Sequence, residues 1–181
     1  ANKVIGIWLT ILGAFIGGLI MTRLALYRSL LLFGILQLLS NFGFYLLAQL
    51  GKGAWGAVLV PAFDWGFVSL HAPAALDLLL LTVIAGENIT GGMGTVAFVA
   101  LLMGLCNQRF TATHYAMLSA FAAAGRIYVS PLSGVLSQSI GWPAFFLFSI
   151  VVAVPGVVMV WWLRDALGRL GRPQIDGVVD D

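Results

Sequence analysis

Long apolar runs dominate this sequence and restrict what it can fold into. Five of them, each at least 18 residues long, carry no more than two charged side chains apiece. They cover residues 4–21, 29–48, 76–105, 113–136 and 143–163. Because about 20 apolar residues in a helix cross the ~30 Å hydrocarbon core of a bilayer, each run predicts a transmembrane helix. The predicted fold class is therefore an all-α integral membrane protein with five spans.

The composition excludes a water-soluble domain. Of 181 residues, 61% are hydrophobic and 9% are charged, which is too few polar side chains to cover a surface in water. The lone Cys106 excludes an internal disulfide and a multi-cysteine metal site, and no phosphate-binding Gly-rich loop with Lys is present. We expect no metal, no cofactor and no enzyme activity. The pI of about 9.0 is interpreted as membrane topology, not as nucleic-acid binding.

The arginines favour a five-span topology over a six-span one. With five spans, the arginines before the second span, after the third and after the fifth share one side, which the positive-inside rule makes cytoplasmic. These are Arg23, Arg28, Arg109, Arg164, Arg169 and Arg172. A sixth span at residues 54–70 would separate them, so this segment, with Trp55 and Asp64, is predicted to lie in the outer membrane interface. The start of the chain is then outside, the polar tail 164–181 is cytoplasmic, and preceding spans are expected.

Two charged residues fall inside the predicted spans. A charge at the centre of a membrane helix costs about 2.5–3.5 kcal/mol, so Glu87 and Arg126 require an explanation. Counted from the cytoplasmic turn, Glu87 lies ~30 Å and Arg126 ~25 Å up their helices. Asp77 is set aside because it lies at the water-accessible outer end of its span. Glu87 and Arg126 predict either a buried ion pair or a polar cavity that handles substrate or protons.

Polar and small side chains recur at helical spacing within the spans. Such residues can serve only to hydrogen-bond neighbouring helices, or they can line a shared pathway for substrate and protons. The residues assigned to that pathway are Glu87, Asn88, Arg126, Gln37, Asn41, Tyr45, Ser119 and Ser130. Glycines let helices pack closely or leave backbone lining a cavity. Those assigned to helix packing and gating are Gly13, Gly17, Gly18, Gly91, Gly92 and Gly94.

The loop after the first run resembles the cytoplasmic loop motif of major facilitator transporters. Its residues are Thr22, Arg23, Tyr27 and Arg28, with Thr22 where the motif has Asp and Ala25 where it has Gly. In those transporters the motif follows the second span of each six-helix half. By that register the chain resembles spans eight to twelve, and its partner would be the missing N-terminal half.

Several separated motifs together resemble the C-terminal portion of AmpG-type anhydromuropeptide permeases. They are Glu87-Asn88-x-x-Gly91-Gly92-Met93-Gly94-Thr95, Leu105-Cys106-Asn107, Phe110-x-Ala112-Thr113, Gly125-Arg126-x-Tyr128-Val129 and Gly141-Trp142. The departure is a hydrophobic insertion at residues 51–75, where the family has a short outer loop. The resemblance implies proton-driven import of N-acetylglucosaminyl-1,6-anhydro-N-acetylmuramyl peptides from periplasm to cytoplasm, across the inner membrane, for peptidoglycan recycling. The alternatives are a non-transporting structural or scaffolding membrane protein and a major facilitator transporter for another small solute.

Overall fold

The structure is a computed structural model that describes residues 2–51, 53–60, 63–64, 69–70, 74–106 and 110–170. Its helices are α1 (Asn2–Met21), α2 (Leu26–Leu50), α3 (Leu78–Leu105), α4 (Thr111–Ile140), α5 (Trp142–Trp162) and α6 (Arg164–Leu170). Its strands are β1 (Ala57–Val60), β2 (Phe63–Asp64), β3 (Ser69–Leu70) and β4 (Ala74–Asp77). Of the predicted tail, residues 164–170 form α6, and residues 171–181 lie outside the described part.

Each apolar run corresponds to one long helix, which confirms the all-α membrane class. Three of the described helices, α2, α3 and α5, are long and apolar enough to cross a membrane, and Ile5–Met21 within α1 is a shorter apolar helix. α4 extends past the predicted span of 113–136 at both ends. It ends at Gly141, whose φ of 80° is readily adopted by glycine and breaks the helix.

The third helix begins at Leu78, two residues later than its apolar run suggested. Residues 74–77 pair as strand β4 instead, so they are not available to the helix. Asp77 then caps α3, because its Oδ1 accepts hydrogen bonds from the backbone N–H groups of Leu79 (2.9 Å) and Leu80 (3.2 Å). The backbone N–H of Gly53 also donates to the Asp77 side chain, which connects the chain just after α2 to the start of α3.

The hydrophobic insertion contains strands, which the sequence reading did not predict. β1 pairs antiparallel with β4, from Ala57 opposite Asp77 to Val60 opposite Ala74. Inside that ladder β2 pairs with β3, with Phe63 opposite Leu70. The two ladders lie in the chain between α2 and α3, and we refer to these four strands together as the hairpin. The predicted position of this segment in the membrane interface stays a prediction.

α3 is the central helix, packed between α1 and α2. Glycines bring the α1 and α3 backbones together: a Cβ added to Gly13 would lie 2.2 Å from the Ile89 carbonyl oxygen, and one added to Gly92 would lie 2.2 Å from the Thr10 carbonyl oxygen. A buried cluster of Phe33, Met93 and Ala97 fills the space between α2 and α3. The interior of the bundle therefore lies around α3.

The remaining helices differ in how well they are covered. α5 packs on α2, where Phe44 stacks on Phe146 with ring centroids 5.3 Å apart. α4 packs lightly against α3 and α5, and Ser137 is its only residue that is buried among those described. Large apolar side chains of α4, including Phe121 and Val129, are exposed. One broad face of α4 is thus left uncovered by this chain.

Candidate functional site

The carboxylate of Glu87 on α3 is held by two side chains of α2. Gln37 Nε2 donates to Glu87 Oε1 over 2.7 Å, and Ser40 Oγ donates to Glu87 Oε2 over 2.8 Å. All three side chains are half-buried. Each carboxylate oxygen therefore accepts one hydrogen bond from a neutral donor, so neither oxygen is left unsatisfied between the two helices.

The next residue, Asn88, is directed at α1. Thr10 Oγ1 lies 3.1 Å from Asn88 Oδ1 and 2.9 Å from the Gly6 carbonyl oxygen, so its one proton bridges two acceptors. Asn88 Nδ2 donates to the Ile84 carbonyl oxygen over 2.7 Å. Successive residues of a helix point about 100° apart, so Glu87 and Asn88 connect α3 to both of its neighbours.

Arg126 of α4 lies on a separate surface. It borders a groove of about 560 Å³ between α3 and α4, which is also lined by Phe98, Phe121, Ala122, Gly125, Val129, Ser130 and Ser133. In the described part of the chain no acidic side chain lies within 4.0 Å of Arg126, so the ion pair with Glu87 that their depths suggested is not formed. The reason is rotational: Glu87 faces α2, whereas the α3 residue at this groove is Phe98.

The other residues assigned to the pathway do not all converge. Asn41 is half-buried one turn beyond Gln37. Tyr45 stacks on Phe42, with centroids 5.7 Å apart, and its hydroxyl accepts a long bond of 3.4 Å from Gln49 Nε2. Ser119 donates to the Ala116 carbonyl oxygen of its own helix over 3.0 Å. The polar line on α2 therefore joins the Glu87 cluster at Gln37, while Tyr45 interacts within α2.

The assigned glycines fall into two groups. Gly13, Gly17 and Gly92 lie at the contact of α1 with α3, and a Cβ added to Gly17 would lie 2.8 Å from the Met93 Cα. Around Gly18, Gly91 and Gly94 an added Cβ would meet no described atom within 4 Å. A gating role for these positions stays a prediction.

The loop-motif residues lie at the end of the bundle where α1 passes into α2. Thr22 Oγ1 donates to the Leu19 carbonyl oxygen over 2.7 Å, which helps to end α1. Arg23 and Arg28 are exposed, and half-buried Tyr27 borders a groove with Arg164 and Arg169 of α6.

Sequence reasoning missed three residues at these sites: Ser40, Thr10 and Phe121. Ser40 could have been found because it lies three residues after Gln37 and so shares its helix face. Thr10 lies three residues before Gly13, on the side of α1 that glycine spacing already directed at a neighbouring helix. Phe121 gave no signal, because an exposed aromatic residue on a membrane helix ordinarily faces lipid.

Long apolar helices joined by polar contacts define a multi-pass α-helical membrane protein. No family model matches the chain. The chain is 43% identical over 166 residues to the anhydromuropeptide permease of Escherichia coli K12, a match that covers 92% of this chain and 29% of that protein. It is 31% identical over 162 residues to a transporter named AmpG 4 in Rickettsia conorii, covering 90% of this chain and 34% of that protein. A transporter named AmpG 1 in Rickettsia prowazekii is 32% identical over 158 residues, covering 87% of this chain and 30% of that protein.

These matches confirm the resemblance that the separated motifs indicated. Over about 90% of its length the chain is similar to a part of AmpG-type anhydromuropeptide permeases. It spans about a third of the length of the curated relatives it matches.

Proposed function

We propose that these residues form part of a secondary transporter that carries anhydromuropeptides from the periplasm to the cytoplasm, across the inner membrane, for peptidoglycan recycling. The observation that carries the proposal is the 43% identity to the Escherichia coli anhydromuropeptide permease over 92% of the chain. The protein would be a permease and not an enzyme. Its remaining partner would be the N-terminal half of the transporter, which would cover the exposed face of α4.

Arg126 is the residue we assign to the substrate. An arginine at membrane depth is costly unless it faces a cavity or a partner, and Arg126 faces a groove lined by the rings of Phe98 and Phe121. A guanidinium group binds carboxylates through two parallel hydrogen bonds, and the peptide of a muropeptide carries carboxylates. Ser130 and Ser133 add hydroxyl groups to the same groove, where they could bond a sugar.

Glu87 is the residue we assign to the proton. Protonation of Oε2 would make that oxygen a donor, so the Ser40 hydroxyl would have to accept instead of donate, while Gln37 Nε2 would still donate to Oε1. A proton at Glu87 would therefore change one of the two bonds that join α3 to α2. Because Glu87 does not contact Arg126, the proton and the substrate would act at different faces of the bundle. Asn88 would hold α3 to α1 throughout, and Asn41, Tyr45 and Ser119 remain predicted members of the pathway.

The predicted topology is supported by where the arginine-bearing helix ends lie in the bundle. A Cβ added to Gly104, near the end of α3, would lie 3.9 Å from Leu26 Cδ2 and 3.8 Å from Leu170 Cβ, so the start of α2, the end of α3 and the end of α6 meet. Arg23, Arg28, Arg164 and Arg169 therefore share one end of the bundle, which we place in the cytoplasm. The hairpin is at the other end, and because open strand edges do not occur in hydrocarbon, we place it in the outer interface.

The test is uptake of labelled anhydromuropeptide by cells that express the complete gene encoding these residues, with and without an uncoupler. We expect uncoupler-sensitive uptake that Glu87→Gln abolishes against a gradient. Arg126→Lys should raise KM roughly tenfold, because a point charge replaces a bidentate fork at a cost of about 1.4 kcal/mol. The amount of each variant in the membrane is measured alongside. Absent uptake by the wild type would favour a scaffolding role, and uptake of a different solute would refute the substrate.

A further inference from the structure

A second groove lies at the arginine-rich end of the bundle, far from Arg126 along the chain. It is open to the outside, has a volume of about 570 Å³ and is lined by Tyr27, Arg164, Asp165, Gly168 and Arg169. Tyr27 belongs to the first turn of α2, and the other four belong to α6. The groove therefore exists because α6 folds back beside the start of α2.

Packing of α6 fixes this arrangement. Leu167 is buried, which anchors the middle of the short helix against the bundle. Residues four apart in a helix share a face, so Arg164 with Gly168, and Asp165 with Arg169, form two adjacent rows that border the groove. Gly168 has open space around an added Cβ and leaves the floor between the charged side chains unfilled.

The charges in the groove favour an anion. Arg164 Nε lies 3.9 Å from Asp165 Oδ1, but the two side chains are 55% and 86% exposed, so water screens the pair. Within the described residues Arg169 forms no ion pair. The groove thus holds two guanidinium groups, one weakly engaged carboxylate and the Tyr27 hydroxyl. Guanidinium forks and a phenol hydroxyl are donors that match a phosphate group.

The level of the groove relative to the membrane indicates which molecule would supply that phosphate. Arg164 lies over the ring of Trp161, 5.5 Å from its centroid, and Trp161 and Trp162 are both exposed at the end of α5. Exposed Trp142 begins the same helix of 21 residues, about 30 Å away. Tryptophans this far apart mark the two membrane interfaces, because the ring prefers the level of the lipid headgroups.

We propose that the groove between Tyr27 and α6 binds the phosphate of an anionic phospholipid headgroup. Arg164 and Arg169 bind the phosphate oxygens, the Tyr27 hydroxyl donates to it, and Trp161 and Trp162 contact the upper acyl chains. This site is independent of transport and uses none of the residues assigned to substrate or proton.

The test is the binding of phosphatidylglycerol to the purified full-length protein, titrated by native mass spectrometry, with phosphatidylcholine as the neutral comparison. We expect the double variant Arg164→Gln with Arg169→Gln to bind the first phosphatidylglycerol about 25-fold more weakly, at roughly fivefold per arginine near the membrane surface. The matched control is Arg23→Gln with Arg28→Gln, which removes the same charge from the same end outside the groove and should leave this first binding step unchanged.

Several results would overturn the proposal. An equal loss in the control variant would show diffuse attraction to the whole basic end, and no loss in the groove variant would show that lipid binds elsewhere. The alternative ligand is inorganic phosphate, and this is tested with the full-length protein in phosphatidylcholine nanodiscs. If inorganic phosphate stabilises the protein there as much as phosphatidylglycerol does, the groove is a site for free phosphate. If the double glutamine variant does not fold, Tyr27→Phe decides, because it removes only the hydroxyl and should weaken phosphatidylglycerol binding several-fold.

Discussion

The contact of α1 with α3 predicts a large effect from adding a single methyl group. In Gly92→Ala the new Cβ would lie 2.2 Å from the Thr10 carbonyl oxygen and 2.8 Å from the Ala14 nitrogen, and both are backbone atoms that no side-chain rotation can move. The helices would have to separate by about 1 Å, and overpacking of this kind costs roughly 1–3 kcal/mol. We take the upper value, about 3 kcal/mol, because the strain cannot be relieved locally. For a chain of this size that lowers Tm by about 6–12 °C.

The assay is thermal unfolding of the purified chain in one detergent, followed by tryptophan fluorescence, with Gly91→Ala as the matched control. Gly91 is the adjacent residue of the same helix, and a Cβ there meets no described atom within 4 Å. Alanine favours a helix over glycine by about 1 kcal/mol, so Gly91→Ala should leave Tm unchanged or slightly raised. Gly13→Ala should behave like Gly92→Ala, since its Cβ would lie 2.2 Å from the Ile89 carbonyl oxygen. Equal Tm values for Gly92→Ala and Gly91→Ala would refute the close approach of the two helices.

Two further predictions concern the Glu87 cluster and the topology. Ser40→Ala should lower stability by about 1–3 kcal/mol because it leaves one oxygen of Glu87 without its donor, whereas Ser149→Ala, which removes only a bond to the Phe146 carbonyl within α5, should cost less. Equal Tm losses for the two would argue against a specific role of Ser40. Single cysteines placed at Gln108 and Lys52 should react with an impermeant reagent from the cytoplasm and from outside respectively. Labelling of both from one side would reverse the five-span topology.

The helices were predictable from the sequence, but the hairpin was not. An uninterrupted apolar run of about 20 residues has few alternatives to a membrane helix, so each of the five runs became one. Residues 54–70 are also largely apolar, but they contain Asp64 and show no periodicity, so their sequence did not predict strands. Pairing of Ala57 with Asp77 depends on chain segments that are 20 residues apart, which local patterns do not report.

The polar residues of the site were identifiable by type, and their partners were not. Glu87 and Arg126 lie within α3 and α4, as the apolar runs predicted, and their depth in the membrane stays a prediction. Which neighbour a side chain meets depends on helix rotation, and one residue changes that direction by about 100°. Glu87 therefore contacts Gln37 and Ser40 on α2, although counting alone allowed Arg126.

The backbone contact of α1 with α3 also determines which parts can move. Helices that touch through main-chain atoms at Gly13 and Gly92 cannot slide past one another without first separating, so we expect them to behave as one rigid body. α4 is held more lightly and contains Pro131, which removes a hydrogen bond to the Ile127 carbonyl and creates a point of bending. A tilt of α4 about Pro131 would displace Arg126, while Glu87 would stay fixed in the rigid body formed by α1 and α3.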